Sequence, residues 1–378
     1  MNPCYIAAAR RTAVVPAGGA FSLCEVYDLG ATVIKALLSE LALEAEQVDL
    51  VIAGNALYGG GNPARMAALA AGLPVSCPAM TLDTQCAGGL DALHMGRALI
   101  GSGQARVVIA GGLESCSLAP RRQHRPRSPA QAPQFYTRPA FSPDAADDPD
   151  PAVAAHAVAK AYALSRADQA RFACDSHRKA RAAQARLRAE IVSFNGVSDD
   201  AFTRVLSEML CARAPLLAGE DEFAISSACT AVSADAAAFV VLMSEAALAR
   251  VSSDASPVRI AGTAQAAVRN AAMPLAPVTA SRAVLEQAGL AITDMAVAEV
   301  MEAYAAQAMA CIRDTGLPPA QLNRGGGALA RGHPIGASGA VNAVRLFHEL
   351  QTEAPASYGL ATIAAAGGLG SALIGQRQ

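Results

Sequence analysis

Short apolar runs alternate with longer segments of mixed polarity along this chain. The runs at 48–53, 79–82 and 106–110 are bounded by polar or small residues and predict β-strands. At 64–72 and 90–100 apolar side chains recur at helical spacing, so these segments predict helices. Because strands and helices alternate, the pattern predicts an α/β fold.

Two pairs of segments resemble each other although they lie about 250 residues apart. Residues 43–59 (LEAEQVDLVIAGNALYG) resemble residues 290–306 (LAITDMAVAEVMEAYAA), and residues 105–115 resemble residues 359–371. Each segment runs from a polar lead-in through an apolar strand to a turn of small residues. An internal repeat of this kind predicts two similar halves that face each other.

The region between the halves has a different composition. Residues 117–151 are rich in proline, alanine and aspartate, as in an irregular connection. Ser165 and Asp168 then form a capping-box pattern ahead of a helix predicted over 169–187. The spacing over 157–184 fits either a DNA-binding helix-turn-helix or two packed helices of an inserted subdomain, and the acidic net charge favours packed helices.

The charge pattern excludes strongly basic protein classes. Thirty basic and thirty-two acidic side chains leave a formal charge of -2, so no strong field attracts nucleic acid or an anionic membrane. The one basic cluster, RRQHRPR at 121–127, favours a solvated loop; a site for a phosphate-bearing ligand or for nucleic acid is the alternative. No apolar run reaches the length of a membrane span. We therefore expect neither a nucleic-acid partner nor membrane association.

The nine cysteines are scattered, without CxxC pairs or the histidine spacing of zinc fingers. This pattern argues against a disulfide framework and against a structural metal site. The apolar N-terminal stretch is soon interrupted by Arg10 and Arg11, unlike a secretory signal. Together these features predict a protein of the reducing cytoplasm.

One cysteine has the context of a nucleophile. In the segment 83–96 (DTQCAGGLDALHMG), Cys86 lies where a strand gives way to a helix. Unpaired N–H groups at a helix start favour a thiolate and are expected to lower the pKa of this thiol below its usual value of about 8.5. The small residues Ala87, Gly88 and Gly89 leave room for a substrate and for backbone donors. A cysteine at a strand end is more often a core residue, so a second feature is needed.

That feature is the segment 325–340 (GGGALARGHPIGASGA). His333 is held between Gly332 and Pro334 in a loop, which orients the imidazole and makes it a candidate base. A turn histidine satisfied by backbone groups is the structural alternative. The glycines also suggest a phosphate cradle, but the GxxxxGK[ST] signature of such loops is missing.

Taken together, these motifs resemble those of the thiolase family of acyl-coenzyme A acyltransferases. The resemblance runs over nearly the whole chain and is carried by the following segments: AARRTAVVPAGGAF, GNPARMAALAAGLP, CAGGLDA, AGGLESCSLAPR, MPLAPVTASRAVLEQAGL, GHPIGASGA and GLATIAAAGGLGSALI. It implies a five-layered α/β/α/β/α fold of two duplicated halves with an inserted loop domain. The implied boundaries are 1–117 for the N-terminal half, 118–222 for the loop domain, 223–250 for a return to the N-terminal half and 251–378 for the C-terminal half.

The resemblance also assigns roles. It implies that Cys86 takes an acyl group from a coenzyme A thioester and that His333 activates the thiol. The backbone N–H groups of Cys86 and Ala366 match the oxyanion hole of this step. A homodimer or homotetramer is implied, with the acyl-coenzyme A as substrate and no cofactor beyond it.

Two positions depart from the family pattern. Ala364 stands where the family has a second cysteine that removes the α-proton of the acceptor, and Met301 replaces the asparagine that holds a catalytic water. The coenzyme A side is also altered around Ala228 and Cys229. Loss of an acid/base group costs about 10²–10⁴ in rate and loss of an oxyanion donor about 10²–10³. We therefore expect weak condensation and thiolysis, with acyl loading retained.

Three hypotheses remain from the sequence. The first is an acyltransferase that loads Cys86 and serves an acceptor needing no proton removal by a second cysteine. The second is an ordinary acetyl-coenzyme A acetyltransferase with a substitute base, for which Cys116 and Tyr304 are candidates although packing is favoured for both. The third is a non-catalytic scaffold subunit.

Overall fold

A computed structural model describes residues 2–251 and 254–378. The strands are β1 (Cys4–Arg11), β2 (Val15–Pro16), β3 (Leu50–Gly54), β4 (Ala79–Leu82), β5 (Val107–Ser115), β6 (Arg122–His124), β7 (Gln134–Tyr136), β8 (Leu216–Ala218), β9 (Ile225–Ser226), β10 (Ala234–Ser244), β11 (Val258–Ala267), β12 (Met295–Val300), β13 (Tyr358–Ala365) and β14 (Leu369–Arg377). The helices are α1 (Val26–Glu40), α2 (Pro63–Ala70), α3 (Gly88–Gly101), α4 (Pro151–Ala161), α5 (Arg166–Ala182), α6 (Gln184–Arg188), α7 (Glu208–Arg213), α8 (Glu245–Leu248), α9 (Ala276–Ala288), α10 (Ala305–Thr315), α11 (Ala328–Arg331) and α12 (Ser338–Leu350).

The elements predicted in the N-terminal part are all present. The strand predicted at 79–82 coincides with β4, and the others differ by a few residues at their ends. Farther along, the Ser165–Asp168 capping box is confirmed, since Ser165 Oγ accepts from the Asp168 N–H and the Asp168 carboxylate accepts from the Ser165 N–H. The single helix predicted over 169–187 is wrong: the chain leaves helical geometry at Ala183 and forms α5 and α6 instead.

Both halves pair their strands in the same way. In the N-terminal half the order is β4-β3-β5-β10-β1, and in the C-terminal half it is β12-β13-β14-β11. β3 pairs in parallel with β5 as β12 does with β13, and an antiparallel strand follows in each case. A parallel bridge between Ala298 and Leu322 occupies the place that β4 has in the first half. The internal repeat in the sequence therefore corresponds to a repeat of structure.

The two halves enclose a central layer of helices. β1 and β11 pair only at Tyr5 with Arg259 and at Ile6 with Val258, which joins the half-sheets. Between them lie α3 and α12, which contact strands of both halves, while α1 and α2 cover one outer face and α9 and α10 the other. Apart from His348, every residue of α12 is buried, as expected of a helix covered on all sides. These five layers confirm the predicted α/β/α/β/α fold.

A buried ionic cluster ties the segment between the halves to this core. Glu190 accepts from Arg11 Nε at 2.6 Å and from Arg345 Nη1 at 2.5 Å, and all three side chains are fully buried. Arg11 also pairs with Asp200 at 2.7 Å. Removing one partner of such a cluster leaves an uncompensated buried charge, so these contacts fix the position of residues 190–200 on the fold.

Helices form the packed part of the segment between the halves. α4 and α5 both contact α10, and each buries a face rich in alanine, in agreement with the packed-helix interpretation of 157–184. The basic cluster is not wholly a loop, because Arg122–His124 forms β6 and Arg122 Nη2 donates to the Ala56 carbonyl at 2.8 Å. All nine cysteines are free thiols. Within residues 2–251 and 254–378, no helix combines the length and apolarity that a bilayer crossing requires.

Candidate active site

Cys86 lies in a tight connection between β4 and α3. A short 3-10 helix, Gln85–Ala87, follows the strand and leads directly into α3. Gln85 has a φ of 53°, a left-handed conformation that is rare for a residue other than glycine. The Asp83 Oδ1 atom accepts from both the Gln85 backbone N–H and its side-chain amide, at 3.0 and 2.8 Å. These bonds hold the strained turn that presents the Cys86 thiol.

Small residues let the helix of the nucleophile approach the helix of the base. A Cβ atom at Gly89 would lie 2.6 Å from the Ala340 nitrogen, and one at Gly339 would lie 2.6 Å from the Leu90 nitrogen. Neither backbone can move away cheaply at this distance. The close contact between the N-terminal ends of α3 and α12 therefore requires both glycines, and it brings the two functional loops together.

His333 is oriented from both sides of its ring. Its backbone N–H donates to the Val232 carbonyl at 2.7 Å. Ser338 Oγ lies 2.6 Å from His333 Nδ1 and 3.0 Å from the Pro334 carbonyl oxygen. Because the hydroxyl donates its proton to that carbonyl, its oxygen accepts from Nδ1–H, and the lone pair is left on Nε2.

The free nitrogen faces the cysteine. His333 Nε2 and Cys86 Sγ are 3.2 Å apart, although the residues are separated by 247 positions in the chain. A neutral imidazole with its lone pair on Nε2 can accept the thiol proton at this distance. The backbone N–H groups of Ala366 and Cys86 itself also donate toward the sulfur.

The predicted low pKa of the Cys86 thiol is wrong. Burial raises the pKa of Cys86 to about 12, and the two backbone donors only partly offset this effect. The negative charges of Glu114 and Asp83 raise it further. Burial also lowers the pKa of His333 to about 4. The pair is therefore a neutral thiol beside a neutral imidazole, so the thiolate forms only as the proton moves to His333.

Cys86 and His333 lie in the wall of a cavity of about 200 Å³. Both side chains remain partly accessible, so a thioester can reach the sulfur through this space. The rest of the wall is largely apolar and consists of Gln85, Phe141, Pro151, Thr230, Ala231, Met273, Pro274, Ala303, Tyr304, Gln307, Ile335, Ala364, Ala365 and Ala366.

The two positions that depart from the family pattern differ in their surroundings. Ala364 lies in the cavity wall, where its methyl group offers no acid or base. Met301 is only 2% exposed and belongs to the central apolar core, and its backbone N–H donates to the Thr362 carbonyl at 3.0 Å. The thioether is therefore part of the core and does not line the cavity.

The sequence analysis missed the role of Glu114. This buried carboxylate accepts from the Gly336 N–H at 2.9 Å, the Ala56 N–H at 3.0 Å and the Asn55 side-chain amide at 2.9 Å. Burial raises the pKa of Glu114 to about 7. It holds the turn after His333 against the end of β3. The signal for this role was an acidic residue near the end of β5, a strand that is buried throughout.

The two candidate substitute bases are separated in the structure. Cys116 lines a neighbouring cavity of about 930 Å³, and burial raises its pKa to about 12. Tyr304 does line the cavity of Cys86, but burial raises the pKa of its phenol, so the hydroxyl stays protonated and offers no base. Within the described residues, no three His, Cys, Asp or Glu side chains are grouped as metal ligands.

Comparisons with known proteins agree with this arrangement. Residues 4–246 match the family profile "Thiolase, N-terminal domain" and residues 255–377 match "Thiolase, C-terminal domain". The chain is 38% identical over 394 residues to the acetyl-CoA acetyltransferase of Pseudomonas aeruginosa, covering 99% of each chain. It is 37% identical over 389 residues to that of Rhizobium meliloti and 37% identical over 392 residues to that of Shinella zoogloeoides, covering 98% of each chain in both cases. The chain therefore belongs to the thiolase family of acyltransferases.

Proposed function

We propose that this protein transfers acyl groups from coenzyme A thioesters by way of a covalent acyl-enzyme on Cys86. The observation that carries the proposal is the 3.2 Å contact between Cys86 Sγ and His333 Nε2 in the wall of an accessible cavity. The backbone donors of Cys86 and Ala366 add the means to stabilise developing negative charge. A thiol, a base and backbone oxyanion donors are the groups that cleavage of a thioester requires.

Loading then proceeds in two steps. The Cys86 proton moves to His333 Nε2 as Sγ attacks the thioester carbonyl, and the tetrahedral oxyanion accepts from backbone N–H groups. The carbon–sulfur bond to coenzyme A breaks next. The departing thiolate takes the proton from His333, leaving an acyl-Cys86 thioester and free coenzyme A. The names of the relatives support acetyl-coenzyme A as a donor.

We further propose that condensation and thiolysis of 3-oxoacyl thioesters are weak. Ala364 supplies no base for the α-proton of an acceptor, and the buried Met301 supplies no amide to hold a water. Each loss alone costs about 10² or more in rate. The acceptor would then be an activated carbon, an amine, a thiol or water, none of which needs proton removal by a second cysteine.

Intact-mass measurement tests the loading step. Incubation with acetyl-coenzyme A should add one acetyl group to the wild-type protein and none to the Cys86→Ala variant. No adduct with any acyl-coenzyme A would contradict the proposal and favour a scaffold subunit. An adduct that persists in Cys86→Ala would place the nucleophile elsewhere.

An ordinary acetyl-coenzyme A acetyltransferase is the second candidate, favoured by the names of the relatives over nearly the whole chain. Steady-state cleavage of acetoacetyl-coenzyme A at rates typical of enzymes, with a kcat of about 1 s⁻¹ or more, would support it. Single-turnover loading without such cleavage would support the first candidate.

We also propose that the protein works as a homodimer or homotetramer in the cytoplasm, with no cofactor beyond the coenzyme A of its substrate. The strand β4 ends the sheet, and the adjacent α2 exposes Met66 and Leu69. Sedimentation analysis of the intact protein tests the assembly.

A further inference from the structure

Tyr304 adds a hydroxyl group to the cavity that holds Cys86 and His333. The resemblance to the thiolase family implies an asparagine–glutamate–alanine–phenylalanine run at residues 301–304, so the ring of Tyr304 is shared with the family and its oxygen is new. The ring packs against an apolar cluster that includes Ala155 and Ala306, and the backbone of Tyr304 forms a β-bridge with Thr230. The position of the aromatic ring is therefore fixed by packing and backbone contacts on either side.

The hydroxyl has no hydrogen-bond partner among the residues that the structure describes. Burial, followed by the negative charge of the nearby Asp150, raises the pKa of the phenol, so it is neutral and carries a proton to donate. Polar groups in partly buried sites normally have partners, and leaving one unpaired costs free energy. A proton donor without a protein partner in the cavity wall is available to pair with an oxygen acceptor on a ligand.

Other polar side chains in the wall are already engaged. Gln307 accepts from the Ala303 N–H at 3.2 Å through Oε1, and its amide contacts Cys311 Sγ at 3.5 Å. Thr230 Oγ1 donates to the Ser226 carbonyl at 3.0 Å. Tyr304 is thus available to form a hydrogen bond with a substituent of the acyl group, while the apolar wall accommodates the carbon atoms of that group.

We propose that Tyr304 favours acyl groups that carry a hydroxyl on the chain, so that a short hydroxyacyl thioester loads Cys86 faster than the unsubstituted thioester of the same length. This inference rests on the proposed function of Cys86. Because Ala364 supplies no base, a 3-oxo group would not lead to efficient cleavage of the acyl chain. A hydroxyl on the chain can instead accept from Tyr304 and is transferred with the acyl group unchanged. A site that pairs with a substrate hydroxyl discriminates against the analogue that lacks it, because the protein group is then left unpaired.

The test compares 3-hydroxybutyryl-coenzyme A with butyryl-coenzyme A, which differ by one oxygen atom. Second-order rates of Cys86 acylation are measured by time-resolved intact mass for the wild type, Tyr304→Phe and the control Tyr27→Phe, whose ring lies outside this cavity. We expect the wild type and Tyr27→Phe to load the hydroxyacyl group about ten times faster than the butyryl group. In Tyr304→Phe the two rates should become equal.

The inference would be overturned if the ratio of the two acylation rates were the same in the wild type and in Tyr304→Phe. A drop by the same factor for both thioesters would also overturn it, since the hydroxyl would then act on the thioester carbonyl. Calorimetric Kd values for both thioesters in the Cys86→Ala background distinguish failure of the Tyr304 proposal from failure of the proposed acyl loading on Cys86. Absence of acylation together with a Tyr304-dependent difference in Kd would contradict the role of Cys86 and still support that of Tyr304.

Discussion

The cavity wall combines one side that carries the candidate catalytic groups with another that has none. Around Cys86 the turn, the imidazole and the backbone donors are all in place, and Glu114 and Ser338 support the loop of His333. Around Ala364 the wall offers only a methyl group, and Met301 is buried in the central apolar core. Under the function proposed above, one fold retains the chemistry of acyl loading and loses that of carbon-acid activation, because the two depend on different side chains.

The largest expected effect comes from removing the base on the intact side. His333→Asn should lower the second-order rate of Cys86 acetylation by about 10²–10⁴, since the neutral thiol then has no proton acceptor. Time-resolved intact mass gives the rate, and His124→Asn serves as the control because His124 is exposed on β6. A rate within a few-fold of wild type would show that His333 is not the base.

Rebuilding the other side sharpens the comparison. Ala364→Cys alone should restore little condensation of acetyl-coenzyme A, whereas Ala364→Cys with Met301→Asn should exceed it by about 10² if the amide recovers an oxyanion site. The new amide is buried in the core and costs about 1–3 kcal/mol in the free energy of unfolding when unpaired. Product formation and thermal unfolding are measured together. Strong condensation in the single variant would show that the water site is dispensable.

A smaller effect is expected from the residue that orients the base. Ser338→Ala removes the acceptor of the His333 Nδ1 proton and frees the ring to turn, which should slow acetylation by about tenfold, less than the ~10² that a 1 Å misplacement can cost. Ser102→Ala, at the end of α3, is the control. An unchanged acetylation rate would mean that packing alone orients the ring.

The smallest effect concerns pH. With the pKa of His333 at about 4 and that of Cys86 at about 12, neither group titrates between pH 6 and 8. The acetylation rate should therefore vary by less than about twofold over this interval and fall only as His333 gains a proton near pH 4. Alkylation of Cys86 by iodoacetamide should keep rising above pH 9, as the thiolate fraction grows. Because the pKa of Glu114 also lies at about 7, the same profile is measured in Glu114→Gln, and an inflection near pH 7 that persists there would indicate an ion pair instead.

His333 also links pH to stability. Its pKa in the folded state lies below the unfolded value of about 6.5, so the unfolded chain binds the proton more readily. The corresponding stability is present above pH 6.5 and is lost as the pH falls toward 4. His177, whose pKa burial also lowers to about 4, acts in the same direction.

Local patterns in the sequence predicted much of this architecture. Strand β4, the Ser165 cap and the repeat between the halves follow from apolar spacing and capping residues, which act over a few positions. The division at Ala183 did not follow, because no proline or glycine marks it. The motifs around Cys86 and His333 were recognised as a pair, but their 3.2 Å contact depends on two helices that approach through Gly89 and Gly339.

By itself, the sequence determined which side chains are available: a thiol and an imidazole in glycine-rich turns, an alanine and a methionine where the family has polar groups, and a tyrosine where it has phenylalanine. The tertiary structure decided their states and surroundings. Helix position alone favours an ionised Cys86, yet burial by residues distant in the chain makes it a neutral thiol. Likewise, only packing placed Met301 in the apolar core and Tyr304 in the cavity wall, since burial is a property of the whole fold.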